Sequence, residues 1–302
     1  MKKIFITGLC CLSFCFSFSQ QDPMYSQYLY NMLAVNPAYA GSREAVSSTF
    51  FYRNQWTGFE GAPVTANLSA HAPFAGTKGA WGVNLMNDRI GVQSQTMLNL
   101  SYAYRIFLPS GNLSFGMSGG FYNFSYNWNE LNLQDMGDAA FAGRDNVMLL
   151  NMGAGIYYQT GRMALSFSSP HLINQRMIQS RGYNVTRPFN HYFAAASYLL
   201  PVNDLIALKP SVMVKMVKNA PVQGDINMTL IYKKSLYLGA SYRTMNELNL
   251  MAQYQLNKNW WFGYAYDIPF SKVGYVSRGS HEVFIGYEFT LQKNKLLSPR
   301  YF

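Results

Sequence analysis

Glu247-Leu248-Asn249-Leu250-Met251-Ala252-Gln253-Tyr254-Gln255-Leu256 alternates polar and apolar residues almost without error. Leu248, Leu250, Ala252, Tyr254 and Leu256 share one side; Glu247, Asn249, Met251, Gln253 and Gln255 share the other. An extended chain places successive side chains on opposite faces, so this stretch reads as a strand with one apolar and one polar side. The pattern recurs in Thr96–Leu108, Asp225–Tyr232, Ser235–Arg243, Trp261–Ile268 and His281–Leu291. Many such segments of about ten residues, separated by turn residues, are the pattern of a transmembrane β-barrel, with its apolar face toward lipid and its polar face toward the lumen.

The composition agrees with that reading. Charged residues make up 13% of the 302 and aromatic residues 16%, including 23 Tyr. Few charges suit a wall that faces lipid, and Tyr and Trp suit the two membrane interfaces. No apolar run is long enough to span a bilayer as a helix, and a backbone in lipid must then close its hydrogen bonds in a barrel. Met1–Ser19 reads as a signal peptide, with Lys2 and Lys3 before an apolar Ile4–Phe18 and small residues ahead of Gln20. Cys10, Cys11 and Cys15 all lie in it, so the remaining chain offers neither disulfides nor thiolate metal ligands. The basic excess is scattered at strand ends without a stripe or basic helix, which argues against nucleic acid and fits anionic lipid headgroups.

Period-2 runs and turn signals predict an all-β protein of fourteen antiparallel strands. They cover about 43–56, 63–74, 78–88, 95–108, 112–128, 147–159, 162–169, 188–200, 205–217, 222–232, 235–243, 247–256, 260–268 and 280–291. Within the fifth, the apolar face moves from Leu113, Phe115 and Met117 to Phe124, Tyr126 and Trp128 across Gly119-Gly120, which predicts a bulge there. Connections after even-numbered strands are short, such as Thr160-Gly161 and Asn257-Lys258-Asn259. Those after odd-numbered strands include the long Asn129–Asn146, His171–Arg187 and Pro269–Gly279. Outer-membrane barrels have short periplasmic turns and long outside loops, so both chain ends are expected on the periplasmic side.

The expected organisation is a signal peptide at 1–19, an N-terminal periplasmic or plug segment at 20–42, a barrel at 43–291 and a periplasmic tail at 292–302. The plug segment reads as a short helix through Tyr25–Leu33 with Met24, Tyr28 and Met32 on one face, then Asn36-Pro37-Ala38-Tyr39-Ala40-Gly41.

No constellation for catalysis, cofactor or metal emerges. His71, His171, His191 and His281 are scattered, and no Gly-x-Ser-x-Gly elbow occurs. His281 and Glu282 are neighbours on a strand and face opposite sides, so they do not chelate together. Asp135, Asp138 and Asp145 read as a solvated acidic loop rather than a calcium site. Gly116, Gly119 and Gly120 precede no helix and make no phosphate cradle. The polar candidates are instead lumenal: Arg53, Gln55, Asp88, Arg105, Asp225, Arg243 and Asp267 sit in or beside strands. They read first as a salt-bridged interior against a plug, and second as a channel lining or docking site.

Several stretches occur together in a recognisable order. Gln21-Asp22-Pro23 with Tyr25-Ser26-Gln27-Tyr28 precedes Asn36-Pro37-Ala38-Tyr39-Ala40-Gly41. Arg53-Asn54-Gln55-Trp56 with Gly58, Gly61-Ala62-Pro63, Asn87-Asp88-Arg89-Ile90-Gly91 and Leu113-Ser114-Phe115-Gly116 follow. Gly263-Tyr264-Ala265-Tyr266-Asp267, Ser280-His281-Glu282 and Ser298-Pro299-Arg300-Tyr301-Phe302 complete the set. The chain resembles the PorP/SprF family of type IX secretion system outer-membrane proteins. The resemblance implies a non-enzymatic outer-membrane barrel of the type IX secretion or gliding machinery that works with periplasmic ring and lipoprotein components and supports export or surface attachment of cargo proteins. Asn36, Pro37, Tyr39, Gly41, Arg53, Gln55, Trp56, Asp88, Asp225, Arg243, Asp267 and Arg300 are then the candidates for the lumen, plug or docking surface. Asn36-Pro37-Ala38 also resembles the hatch of FadL-like transporters, which leaves a passive transporter of small or hydrophobic solutes as the alternative.

Overall fold

The computed structural model describes residues 31–130, 143–173, 190–218, 220–244 and 247–289. The expected signal peptide, most of the expected helix, Asp135, Asp138, much of the two longest loops, and the expected tail with Arg300 lie outside them.

Alternating side chains produce strands throughout. They are β1 (Val46–Asn54), β2 (Val64–Pro73), β3 (Gly79–Ile90), β4 (Gln93–Leu108), β5 (Gly111–Asn127), β6 (Arg144–Gln159) and β7 (Met163–Ser169). After them come β8 (His191–Tyr198), β9 (Leu200–Pro201), β10 (Ile206–Val217), β11 (Gln223–Tyr232), β12 (Leu236–Arg243), β13 (Glu247–Gln255), β14 (Trp260–Pro269) and β15 (Ser280–Phe289). β8 and β9 are one wall strand interrupted at Leu199, so the wall has the fourteen strands expected from the sequence. All pairings are antiparallel between sequence neighbours, and β1 pairs β15 from Val46↔Phe289 to Asn54↔His281. β10 also pairs β11, so the sheet closes and leaves no edge to lipid.

The short turns fold by local chemistry. Asn257 Oδ1 accepts from the amides of Asn259 and Trp260 at 2.8 and 2.9 Å, and Asn203 Oδ1 does the same for Leu205 and Ile206 at 2.9 and 2.8 Å. Lys233 and Lys234, at φ 49° and 56°, place the three-residue turn Lys233–Ser235 between β11 and β12 in the left-handed region, and the Ser235 amide donates to Tyr232 O at 3.1 Å.

The outer wall is apolar, with Leu100, Met117, Leu150 and Ile226 all more than half exposed. In β13, Leu250, Ala252 and Tyr254 point out, while Asn249, Met251 and Gln253 are buried. The expected bulge in β5 is absent. Its register runs unbroken against β4 through Asn99↔Gly120 and Leu100↔Gly119, and against β6 through Gly119↔Met152 and Gly120↔Asn151. The apolar side chains change face because Tyr122 and Phe124 point inward, where they form an apolar cluster with Met86, Met97 and Leu149. The interior is therefore less polar than alternation implied. Phe51 and Phe284 also stack inside it, 5.0 Å apart, beside Trp261.

Candidate functional site

Residues 31–42 lie inside the barrel, against β2 through β7. Two short 3-10 turns, Met32–Ala34 and Pro37–Tyr39, shape the segment. Asn36 begins the second. Its Oδ1 accepts from the Ala38 amide at 2.9 Å, and Pro37 occupies the first turn position, where no amide hydrogen is needed. The Asn36 Nδ2 meanwhile donates to Ile156 O at 3.0 Å and to Ser166 Oγ at 2.8 Å. One side chain thus caps a turn and ties it to β6 and β7.

Further bonds secure the rest. Asn31 Nδ2 donates to Asn67 Oδ1 at 2.8 Å, and Ser69 Oγ donates to Asn31 Oδ1 at 2.9 Å. Ser168 Oγ donates to Val35 O at 2.7 Å. The Gly41 amide donates to His71 Nδ1 at 3.1 Å, and Arg105 donates to Gly41 O at 2.8 Å. Tyr39 meets His71 and Tyr157 edge-on, each at 5.3 Å between ring centroids. Met32, Leu33, Ala38, Tyr39 and Ala40 complete an apolar core with Ala80, Ala103 and Phe193 of the wall.

Glycines open the space. A Cβ on Gly116 would stand 2.2 Å from Ala38 N, one on Gly155 2.1 Å from Asn36 Oδ1, and one on Gly82 2.9 Å from Leu33 Cδ1. These are inward positions of β5, β6 and β3, and each lets the segment touch the wall backbone.

The remaining wall carries a charge network at the end away from the short turns. Arg243 of β12 binds Asp225 of β11 through Nε at 3.0 Å and Nη2 at 3.1 Å, and Glu247 of β13 through Nη1 at 2.6 Å. Arg53 of β1 binds Asp267 of β14 and, at 3.0 Å, Glu282 of β15. Glu247 joins the two halves, with its Oε1 3.9 Å from Arg53. Two guanidinium groups therefore face four carboxylates across six adjacent strands. Five of the six side chains are buried and Glu247 is partly so, in an interior where charges must be paired to be tolerated. At the short-turn end, Arg43 meets Glu288 at 3.3 Å.

Of the sequence candidates, Asn36, Pro37, Tyr39 and Gly41 come together in the lumen segment, with Arg105 reaching them. Arg53, Asp225, Arg243 and Asp267 come together in the charge network. Asp88 is buried on β3 and accepts from Thr65 Oγ1. Gln55 and Trp56 stand apart, half-buried in the loop after β1, where the Trp56 amide donates to Ser280 Oγ at 3.1 Å. Glu247, Glu282 and the Arg43–Glu288 pair were missed as site residues. The two acids of the network lie on the polar side of their strands, so the alternation contained that signal. His281 and Glu282 do face opposite ways: Glu282 points inward and the His281 ring meets Tyr264 Oη at 2.7 Å. Among the described residues, no group of three or more His, Cys, Asp or Glu side chains is placed to hold a metal ion.

A closed antiparallel barrel with an apolar exterior and a charged, filled interior is an integral outer-membrane protein. Solved barrels share the fold. The monoaromatic hydrocarbon channel CymD superposes with a TM-score of 0.56 at 12% identity, covering 90% of this chain and 94% of its own. The toluene transporter TodX of P. putida superposes with a TM-score of 0.51 at 10% identity, covering 87% and 95%. No curated protein matches the sequence. The sequence profile of the type IX secretion system membrane protein PorP/SprF matches residues 17–287. The chain belongs to that family, and it is a membrane component of the type IX secretion system.

Proposed function

We propose that the barrel is a docking scaffold of the secretion machinery rather than a solute pore. In this reading the short turns, the N-terminal segment and the C-terminal tail face the periplasm and engage ring and lipoprotein components. The long loops face the outside and support export or surface attachment of cargo, after the signal peptide has been removed. The observation that carries the reading is the occupied lumen: residues 31–42 are bonded to four wall strands and packed against inward glycines. A wall whose six network charges are paired with one another offers a permeant solute few free groups.

Affinity purification from gently solubilised outer membranes, with mass spectrometry of co-eluting proteins, tests the proposal. Periplasmic secretion-machinery proteins should co-elute with the wild type and be reduced when residues 20–42 are deleted. Their absence from the wild-type eluate contradicts docking.

The alternative is a passive transporter of small or hydrophobic solutes. It draws support from the fold shared with CymD and TodX and from the inward Met86, Met97, Tyr122, Phe124 and Leu149. Solute flux through purified wild-type protein in liposomes would favour it.

A further inference from the structure

The lipid-facing wall is dented. β7 stops at Ser169, and the chain bends into the barrel at Pro170 and His171. The bend is held from inside: Asn151 Nδ2 donates to Pro170 O at 3.0 Å, and the His171 ring hydrogen-bonds Tyr122 Oη at 2.7 Å. Gly153 makes room, since a Cβ there would stand 3.0 Å from Pro170 Cα. The inward bend leaves an outward hollow of about 530 Å3 beside it.

The register explains the shape. Tyr102, Met117, Ala154 and Ser169 form one cross-strand row, and Tyr104, Phe115, Ile156 and Phe167 form the next. The small Ala154 and Ser169 lie between Met117 on one side and Leu172 and Tyr192 on the other, so the first row sinks where the second stays full. Ala154 and Ile156 fall within the outward apolar run of β6 from Met148 to Tyr158, which puts the hollow inside the hydrocarbon band.

We propose that this hollow binds an acyl chain of an outer-membrane lipid and retains it as an integral lipid. The occupant follows from position. The hollow is continuous with the lipid-facing wall, its lining is almost wholly apolar, and the groups able to reach it are those dissolved in the bilayer. Its volume lies within the range of ligand pockets, well beyond the crevice between two neighbouring side chains. Phe167, Leu172 and Tyr192 clasp the chain from the β7–β8 side, and Met117 from the β5 side. The proposal does not depend on the docking role.

Native mass spectrometry of the full chain, extracted in mild detergent, tests it. The wild type should carry a lipid adduct that survives detergent removal. Ala154→Trp fills the hollow and should lower the bound fraction at least tenfold, while Ala252→Trp, outward on β13, should leave it unchanged. Heat-modifiable gel migration shows that each variant is folded. Should Ala154→Trp fail to assemble, the double variant Phe167→Ala/Tyr192→Ala opens the rim instead and should lower retention in the same direction. A wild type without adduct, or equal retention in wild type and the folded hollow variant, overturns the proposal. A benzophenone amino acid at position 154 should crosslink to lipid in cells; a protein adduct there overturns the choice of lipid over a membrane partner.

Discussion

Asn36 joins a turn cap to two wall bonds through one side chain. Asn36→Ala should weaken the seating of residues 31–42 by about 1–3 kcal/mol, because Ser166 Oγ and the Ala38 amide lose buried partners. Hydrogen exchange of the 31–42 peptide should then quicken while β13 stays protected; unchanged exchange would refute the role given to the side chain. Arg53 is the equivalent in the charge network. Arg53→Met leaves Asp267 and Glu282 buried without their cation, a loss of about 3–5 kcal/mol by the usual cost of breaking a buried pair. It should lower the temperature at which the barrel loses its folded gel migration, and an unshifted transition would contradict the pairing. Asn36-Pro37 was legible as part of the plug segment and of the family resemblance, whereas its cap and its bonds to β6 and β7 emerge only in the folded wall. The Arg53 partners were not legible, since they lie 214 and 229 positions away and are brought close only by barrel closure.

At the scale of elements, alternation was sufficient to locate all fourteen wall strands, but it misjudged β5. There a change of apolar face was read as an added residue, whereas the register is continuous and the inner wall itself becomes apolar at Tyr122 and Phe124. Period-2 reasoning assumes a polar lumen, and a lumen that packs against its own chain breaks the assumption. Inward Phe51, Met213 and Phe284 broke it in the same way. Gly116 appears in the sequence as a rejected phosphate-cradle residue and within a family stretch, but its role as a seat is not local, because the partner that needs its missing Cβ is Ala38, far away in the chain. Gly116→Val should therefore act on the lumen segment more than on the sheet. Protease nicking between residues 31 and 42 should increase in the intact, folded variant, and equal resistance to the wild type would contradict the seat.

For the whole molecule, closure through β1–β15 fixes which residues meet, and the two halves of the interior differ. One half, β2 to β7, seats the N-terminal segment by small residues and hydrogen bonds. The other, β11 to β1, is held together by paired charges. The family match supplies the secretion system, which neither periodicity nor charge reveals. What separates a scaffold from a channel is whether the lumen conducts. Single-channel recording of the purified full chain in planar bilayers measures this directly. The account predicts a silent wild type and open, ion-conducting events when residues 20–42 are deleted or Gly116 is replaced by valine. Steady conductance by the wild type, unaltered in those variants, would contradict it.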